Sequence, residues 1–241
     1  MGTLFIVATP IGNLEDISLR AIKTLFDVDA IACEDTRRTG IFLEKLLTEF
    51  ADPTTLALRG ASKKKPHLIS YYEQNELARI PEIITALQNG LNVALISDAG
   101  TPLISDPGFK LVRECLAQGI KVVSIPGASS VLTALTSSGL PTDKFMFAGY
   151  PPHKSGHRIT FYEKIQSSQK DLNTTIILFE APHKILTTLK ELKSVFGDIE
   201  LVLCRELTKI HEEVRHEKIS EALIHFKKTP PKGEFVLLFH L

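Results

Sequence analysis

The sequence predicts an α/β protein built largely on parallel sheet. Apolar runs of strand length at residues 4–8, 28–33, 91–96 and 120–125 alternate with segments of helical period, the alternation that βαβ units produce. Each run also ends in polar, glycine- or proline-rich residues, so the loops gather at the carboxyl ends of the strands. An open parallel sheet binds ligands there, because its loops diverge and helix N-termini expose backbone donors.

In chain order, the run at 4–8 is followed by a turn with Pro10, Gly12 and Asn13. Ser18 can then cap a helix carrying Leu19, Ile22, Leu25 and Phe26 on one face. The second run ends in Glu34-Asp35-Thr36-Arg37-Arg38, and Ile41, Leu43, Leu46 and Leu47 continue as a helix. From Leu77, residues Ile80, Ile83, Ile84 and Leu87 keep helical spacing until Asn89-Gly90 stops them. After the third run come Asp98-Ala99-Gly100-Thr101-Pro102, a helix through Phe109 and Cys115 to Gly119, and the fourth run. Pro126-Gly127-Ala128-Ser129-Ser130 opens another helix, which stops at Gly139. Beyond Pro141 the pattern loosens, with strands expected at 145–149, 175–179, 201–204 and 235–239 and helices near 157–165 and 183–195. Two α/β domains are expected, at 1–126 and 127–241.

The 241 residues carry 28 basic and 28 acidic side chains, so the net charge is zero and any polyanion site must be local. Cys33, Cys115 and Cys204 have neither disulfide nor zinc-ligand spacing, which fits a reducing compartment. A signal peptide is not expected, because Pro10 and Gly12 cut the first apolar run short, and no apolar stretch approaches the roughly 18 residues of a membrane span. The expectation is a cytoplasmic protein without a membrane partner. Arg59, Lys63, Lys64 and Lys65 form a basic segment without a compensating acid and read as a solvated loop.

No Walker loop or GxGxxG follows a strand, no GxSxG nucleophile elbow occurs, and the eight histidines form no metal-ligand pattern. Gly100 instead permits close backbone approach, Asp98 offers an acceptor and Thr101 a small donor, a combination suited to a polar small molecule without phosphates. The adjacent carboxylates Glu34/Asp35 and Glu212/Glu213 read as solvated pairs.

Residues 7–14 (VATPIGNL), 34–37 (EDTR), Ser70-Tyr71 with Glu73, Asn75 and Glu76, and residues 97–108 (SDAGTPLISDPG) together resemble the bacterial small-subunit ribosomal RNA methyltransferase I family of the tetrapyrrole methylase superfamily. Residues 125–130 (IPGASS), 139–143 (GLPTD), 180–183 (EAPH), 205–209 (RELTK) and 232–234 (KGE) extend the resemblance over essentially the whole chain. Tyr72 and Gln74 stand where many members have histidines, and the basic segment at 59–65 is an insertion.

The resemblance implies two α/β domains of tetrapyrrole methylase type with S-adenosylmethionine in the cleft between them. It also implies a homodimer that 2′-O-methylates a cytidine of 16S rRNA in the small ribosomal subunit. Carried over by motif, Pro10, Asp98, Gly100, Thr101, Ile104, Ser129, Ser130, Lys232 and Gly233 would hold the cofactor, and no metal is expected. A ribose hydroxyl must lose its proton, which makes Asp35, Asp98 and Glu180 the candidate bases, Asp35 foremost because it ends a strand beside Arg37 and Arg38. Phosphate contacts are expected from Arg37, Arg38, Lys63, Lys64, Lys65, Lys154 and Arg158. A tetrapyrrole carbon methylase would share the cofactor loops but need a broad apolar trough, and a non-catalytic sensor would bind the cofactor without turning it over. The EDTR motif favours RNA.

Overall fold

The computed structural model describes residues 1–50 and 65–241, which form two compact units, Met1–Ser129 and Ser130–Leu241. Unit 1 runs β1 (Thr3–Val7), α1 (Leu19–Asp27), β2 (Ala30–Cys33), α2 (Thr36–Phe50), β3 (His67–Ser70), α3 (Glu76–Gln88), β4 (Val93–Leu95), α4 (Phe109–Ala117) and β5 (Lys121–Ile125). Its strands are all parallel in the order β3-β2-β4-β1-β5. Successive side chains of a strand face opposite sides, so each short run fills two cores. Val7, Ile31, Cys33 and Ala94 pack with Ile22, Leu25, Phe26, Leu43 and Leu46 of α1 and α2. Leu4, Ile6, Ala30, Ala32, Val93 and Leu95 pack with Ile83, Leu87, Leu111 and Cys115 of α3 and α4.

Ser18 caps α1 by accepting from the Ala21 N–H at 3.1 Å, as its position before an apolar period predicts. The motif around Ser70-Tyr71 is a structural corner. The Asn75 side chain donates to the Ser70 carbonyl and accepts from the Tyr72 N–H, while the buried Tyr71 hydroxyl donates to Glu76, which also pairs with Lys110 at 2.6 Å. Strand β3 was not expected. It is a four-residue edge strand, too short to show a period.

Unit 2 runs α5 (Ser130–Ser137), β6 (Phe145–Phe147), α6 (Ser155–Leu172), β7 (Thr175–Glu180), α7 (Ile185–Phe196), β8 (Glu200–Arg205), β9 (Glu213–Lys218), α8 (Ile219–Lys228) and β10 (Phe235–Phe239). Its sheet has the order β6-β7-β10-β8-β9, and only β6 and β7 are parallel; the other three pairings are antiparallel. Tyr162, Leu178, Leu189, Leu203, Phe226, Leu237 and Phe239 centre its core.

The pair Glu212/Glu213 is corrected by this sheet. Glu213 opens β9 and binds Arg205 at 2.9 Å and Arg215 at 3.1 Å, while Glu212 accepts from the Thr208 N–H. Strand β9, with Glu213, Arg215 and Glu217 on one side, is an edge whose charges deter pairing with another chain. Such a strand has no apolar alternation by which sequence could betray it.

Candidate functional site

The loops at the carboxyl ends of β1, β4 and β5 are stitched together. The N–H of Thr9 donates to the Gly100 carbonyl at 2.9 Å and the N–H of Gly100 donates back at 3.1 Å, a single antiparallel bridge between two loops. Thr9 Oγ1 also donates to the Ser97 carbonyl at 3.2 Å, and Thr101 Oγ1 to the Ala128 carbonyl at 3.0 Å. Pro10, Gly100 and Thr101 therefore stand at one locus. Ser129 closes unit 1 and Ser130 begins α5; Ile104 is 43% exposed.

The segment from Gly100 to Gly108 is held in unusual backbone conformations. Gly100 has φ +84°, a region that favours glycine, and a Cβ there would press on Ile11 Cγ2 at 3.2 Å. Leu103 at φ 72° and Ser105 at φ 65° lack that excuse, and non-glycine residues in this region carry strain of roughly 1–3 kcal/mol each. Strain of this kind persists only where the surrounding contacts hold it, and it clusters at ligand-binding loops.

Beside this loop three carboxylates converge. Glu34, just after β2, accepts the Asp98 N–H at 3.2 Å; Asp98 Oδ2 pairs with Arg38 at 2.7 Å; and Asp106 interacts electrostatically with both acids. Burial and then the Glu34 charge push the Asp106 carboxyl up to about 6, against a hydrogen bond from Ser97. Burial also raises Glu34, as does the Asp98 charge, against the Asp98 N–H that it accepts. Asp106 is a member that sequence reasoning missed, although it stands within the SDAGTPLISDPG run.

Asp35 has a different task from the one expected. Its Oδ1 accepts the N–H groups of Arg37 at 2.8 Å and Arg38 at 3.3 Å, which makes it the cap of α2, and these two backbone bonds hold its carboxyl below the usual range. Asp35 is also absent from the lining of the unit 1 pocket that Asp98 borders. Arg37 is exposed and lies 3.8 Å from Asp35.

Glu180 and Arg158 require firmer correction. Both are 3% exposed, and they pair at 3.2 Å inside unit 2. Arg158 also donates to Glu191 at 2.6 Å, to the Tyr162 hydroxyl at 3.2 Å, to Thr188 and to the Pro152 carbonyl at 3.3 Å. Glu180 accepts in addition from Thr188 and from the Ala181 N–H at 2.9 Å. This network ties β7, α6, α7 and the loop before α6 together, so Arg158 does not face a phosphate, nor Glu180 a ribose. The clue was periodicity: Arg158, Tyr162 and Ile165 share the inner face of α6.

Of the other expected cations, Lys154 is exposed at the start of α6 and Lys65 pairs with Glu44 at 3.2 Å. Lys63 and Lys64 lie outside the described residues. In unit 2 the Lys232-Gly233 turn precedes β10. Gly233 has φ +88°, and a Cβ there would come within 2.6 Å of the Glu206 side chain. Next to that contact, Thr208 has φ 65°, rare for a β-branched residue, and its hydroxyl is buried without a partner among the described residues. It stands within the RELTK run at 205–209, where nothing singles it out from its neighbours.

A pocket of about 410 Å³ opens in unit 1 between the β1 loop, the end of β4 and one face of α2. Thr9, Pro10, Ser97 and Asp98 line one side; Arg38, Phe42 and Lys45 are among the residues of α2 that line the other. Among the described residues no group of His, Cys, Asp and Glu has a metal-binding arrangement, and no helix is long and apolar enough to cross a membrane.

The sequence model of the Tetrapyrrole (Corrin/Porphyrin) Methylases matches residues 3–223. The chain is 44% identical over 238 residues to the ribosomal RNA small subunit methyltransferase I of Thermotoga maritima, covering 99% of this chain and 98% of that protein. It is 42% identical to the Haemophilus influenzae protein of the same name, covering 98% of this chain and 78% of that one. Among solved structures, a diphthine synthase superposes with a TM-score of 0.71 at 16% identity, over 99% of this chain and 90% of that one. A uroporphyrin-III C-methyltransferase from Thermus thermophilus, complexed with S-adenosylhomocysteine, superposes with a TM-score of 0.62 at 18% identity, over 98% and 97% of the two chains. At such identities the structural likeness concerns the fold.

Proposed function

The chain belongs to the ribosomal RNA small subunit methyltransferase I family of the tetrapyrrole methylases, and from that premise we propose that it methylates the ribose 2′-oxygen of a cytidine in 16S rRNA. Its methyl donor is S-adenosylmethionine, in keeping with the family. The observation that carries the choice of RNA is the pocket of unit 1. Arg38 and Lys45 of α2 face Asp98 across it and Glu49 lines it too, so its charges balance and it offers donors and acceptors together, as a nucleotide requires, whereas a tetrapyrrole needs a broad apolar trough. The resemblance adds the small subunit as the substrate particle, the cytoplasm as the location and a homodimer as the acting form.

The residues present fit the donor. Gly100, favoured by its φ of +84°, lets the loop turn where a side chain would be strained, and Leu103 and Ser105 hold the same loop in that backbone region. Within unit 1, Pro10, Gly100, Thr101, Ile104 and Ser129 would hold the donor, which supplies when bound an activated methyl group on sulfur; the resemblance alone assigns that role to Ser130, Lys232 and Gly233. The protein's own work is alignment and proton removal. Arg38 occupies Asp98 Oδ2 and so orients the carboxylate, leaving Oδ1 to accept the proton of the ribose hydroxyl. Arg37 and Lys154 are exposed and able to meet flanking phosphates.

Single-turnover transfer of tritiated methyl groups to unmodified small subunits, with primer extension to locate the 2′-O-methyl group, tests this reading. Asp98→Asn should slow transfer by about 10²- to 10⁴-fold, the usual worth of a general base. A rate within a few-fold of wild type would remove Asp98 from proton transfer.

A further inference from the structure

The wall that α2 presents to the pocket is patterned. Arg38, Ile41, Phe42, Lys45 and Glu49 all line it, at helical positions i, i+3, i+4, i+7 and i+11, which is one continuous stripe. The stripe is apolar in the middle and charged at both ends. Arg38 is committed to Asp98, and the neighbouring Glu44, on another face of the helix, to Lys65. Lys45 and Glu49 make no ion pair with another side chain among the described residues, although both are charged and border the same pocket. Arg38 and Glu49 are about 16 Å apart along the helix axis, so the stripe is long enough to run beside a whole nucleotide.

We propose that this pocket receives the target nucleotide of the RNA, that Ile41 and Phe42 pack against its base, and that the Lys45/Glu49 pair selects cytosine. The inference rests on the methyltransferase reading above and adds to it the residues that recognise the base. Cytosine carries an exocyclic amino donor beside a ring-nitrogen acceptor, which suits a carboxylate beside an ammonium: Glu49 accepts from the amino group and Lys45 donates to the ring nitrogen or the adjoining carbonyl. Uracil and guanine present the opposite order, a carbonyl beside a ring N–H, and would set oxygen against the Glu49 carboxylate. Adenine shares the cytosine order, so the pair separates cytosine from uracil and guanine and leaves adenine to the size of the pocket. With the base at the Glu49 end, the ribose lies toward Arg38 and Asp98, where the reacting hydroxyl is needed.

The test compares the full-length wild type with Glu49→Gln on two reconstituted small subunits, one with the natural cytidine at the target and one with uridine. Titration with cytidine and uridine monophosphates provides a readout that does not depend on turnover, and S-adenosylhomocysteine affinity reports that the variant is folded. The wild type should prefer the cytidine substrate at least 10-fold. Glu49→Gln should slow methylation of cytidine about 10- to 100-fold, narrow the preference to within a few-fold, and bind S-adenosylhomocysteine as wild type does. Unchanged discrimination in Glu49→Gln, or equal rates on both substrates in the wild type, overturns the inference and leaves the methyltransferase reading standing. If the wild type methylates neither subunit, the rRNA reading itself fails. The nucleotide titration then decides the pocket alone: a cytidine preference abolished by Glu49→Gln upholds it, and no preference overturns it.

Discussion

At the residue scale, Asp106 carries a pH dependence whose sign follows from its surroundings. Its carboxyl is raised to about 6 by burial and by Glu34. The folded protein therefore binds this proton more tightly than the unfolded chain does. The stabilising contribution of that proton is complete below about pH 4, near the ordinary carboxyl value, and is lost as pH rises through 6. Asp106→Asn removes the cost of ionising the group while keeping an acceptor for Ser97. It should raise the melting temperature at pH 8, by an amount equivalent to about 1 kcal/mol after allowance for solvent screening, with the gain fading toward pH 4. Thermal melts of both proteins across that range check this, and a gain that does not change with pH would contradict it. Asp35→Ala, in contrast, strips a cap from α2 and should lower the melting temperature at neutral pH, whereas Asp35→Asn, which can still cap, should methylate nearly as the wild type does.

At the element scale, unit 2 is organised by a charge that water cannot reach. Arg158 on α6 meets Glu180 at the end of β7 and Glu191 on α7, and the side chains of Arg158 and Glu180 are 4% and 2% exposed. Breaking such a pair strands a buried charge. Arg158→Ala should destabilise the protein by about 3–5 kcal/mol, measured by denaturant unfolding, because Glu180 and Glu191 lose their common partner. A loss below about 1 kcal/mol would show that water or another cation replaces the guanidinium. The same network explains a misreading. The glutamate of EAPH locks a strand to two helices, and a residue that anchors packing looks in sequence like one that performs chemistry. The βαβ pattern of unit 1 was legible because β2 and β4 are buried on both faces and its apolar runs are bounded by turn residues. The charged edge strand β9 was not, since it has no apolar alternation, nor were the antiparallel pairings of β10 with β7 and β8, which join segments distant in the chain.

For the whole molecule, 28 basic and 28 acidic residues leave no net attraction to RNA, so affinity must come from a few placed cations. Binding of small subunits should weaken with salt, and Arg37→Ala or Lys154→Ala should each reduce the slope of log affinity against log salt by about one. An unchanged slope in either variant would return that residue to the solvated surface. What the sequence determined by itself was local: the alternation of strand and helix, the caps and stops, the loops at strand ends, and long motifs that match the family. Each of these depends on residues within a few turns of one another or on identity at fixed spacing. Tertiary structure alone decided which side each polar residue faces. Arg158 and Lys154 lie four residues apart, yet one is sealed among two carboxylates and the other is exposed. Asp35 and Asp98 both end strands, yet one spends its oxygen on a helix cap and the other lines a pocket. Burial and hydrogen-bond partners are properties of the packed chain, and they divide a list of plausible acids and bases into those that hold the fold and those placed to act.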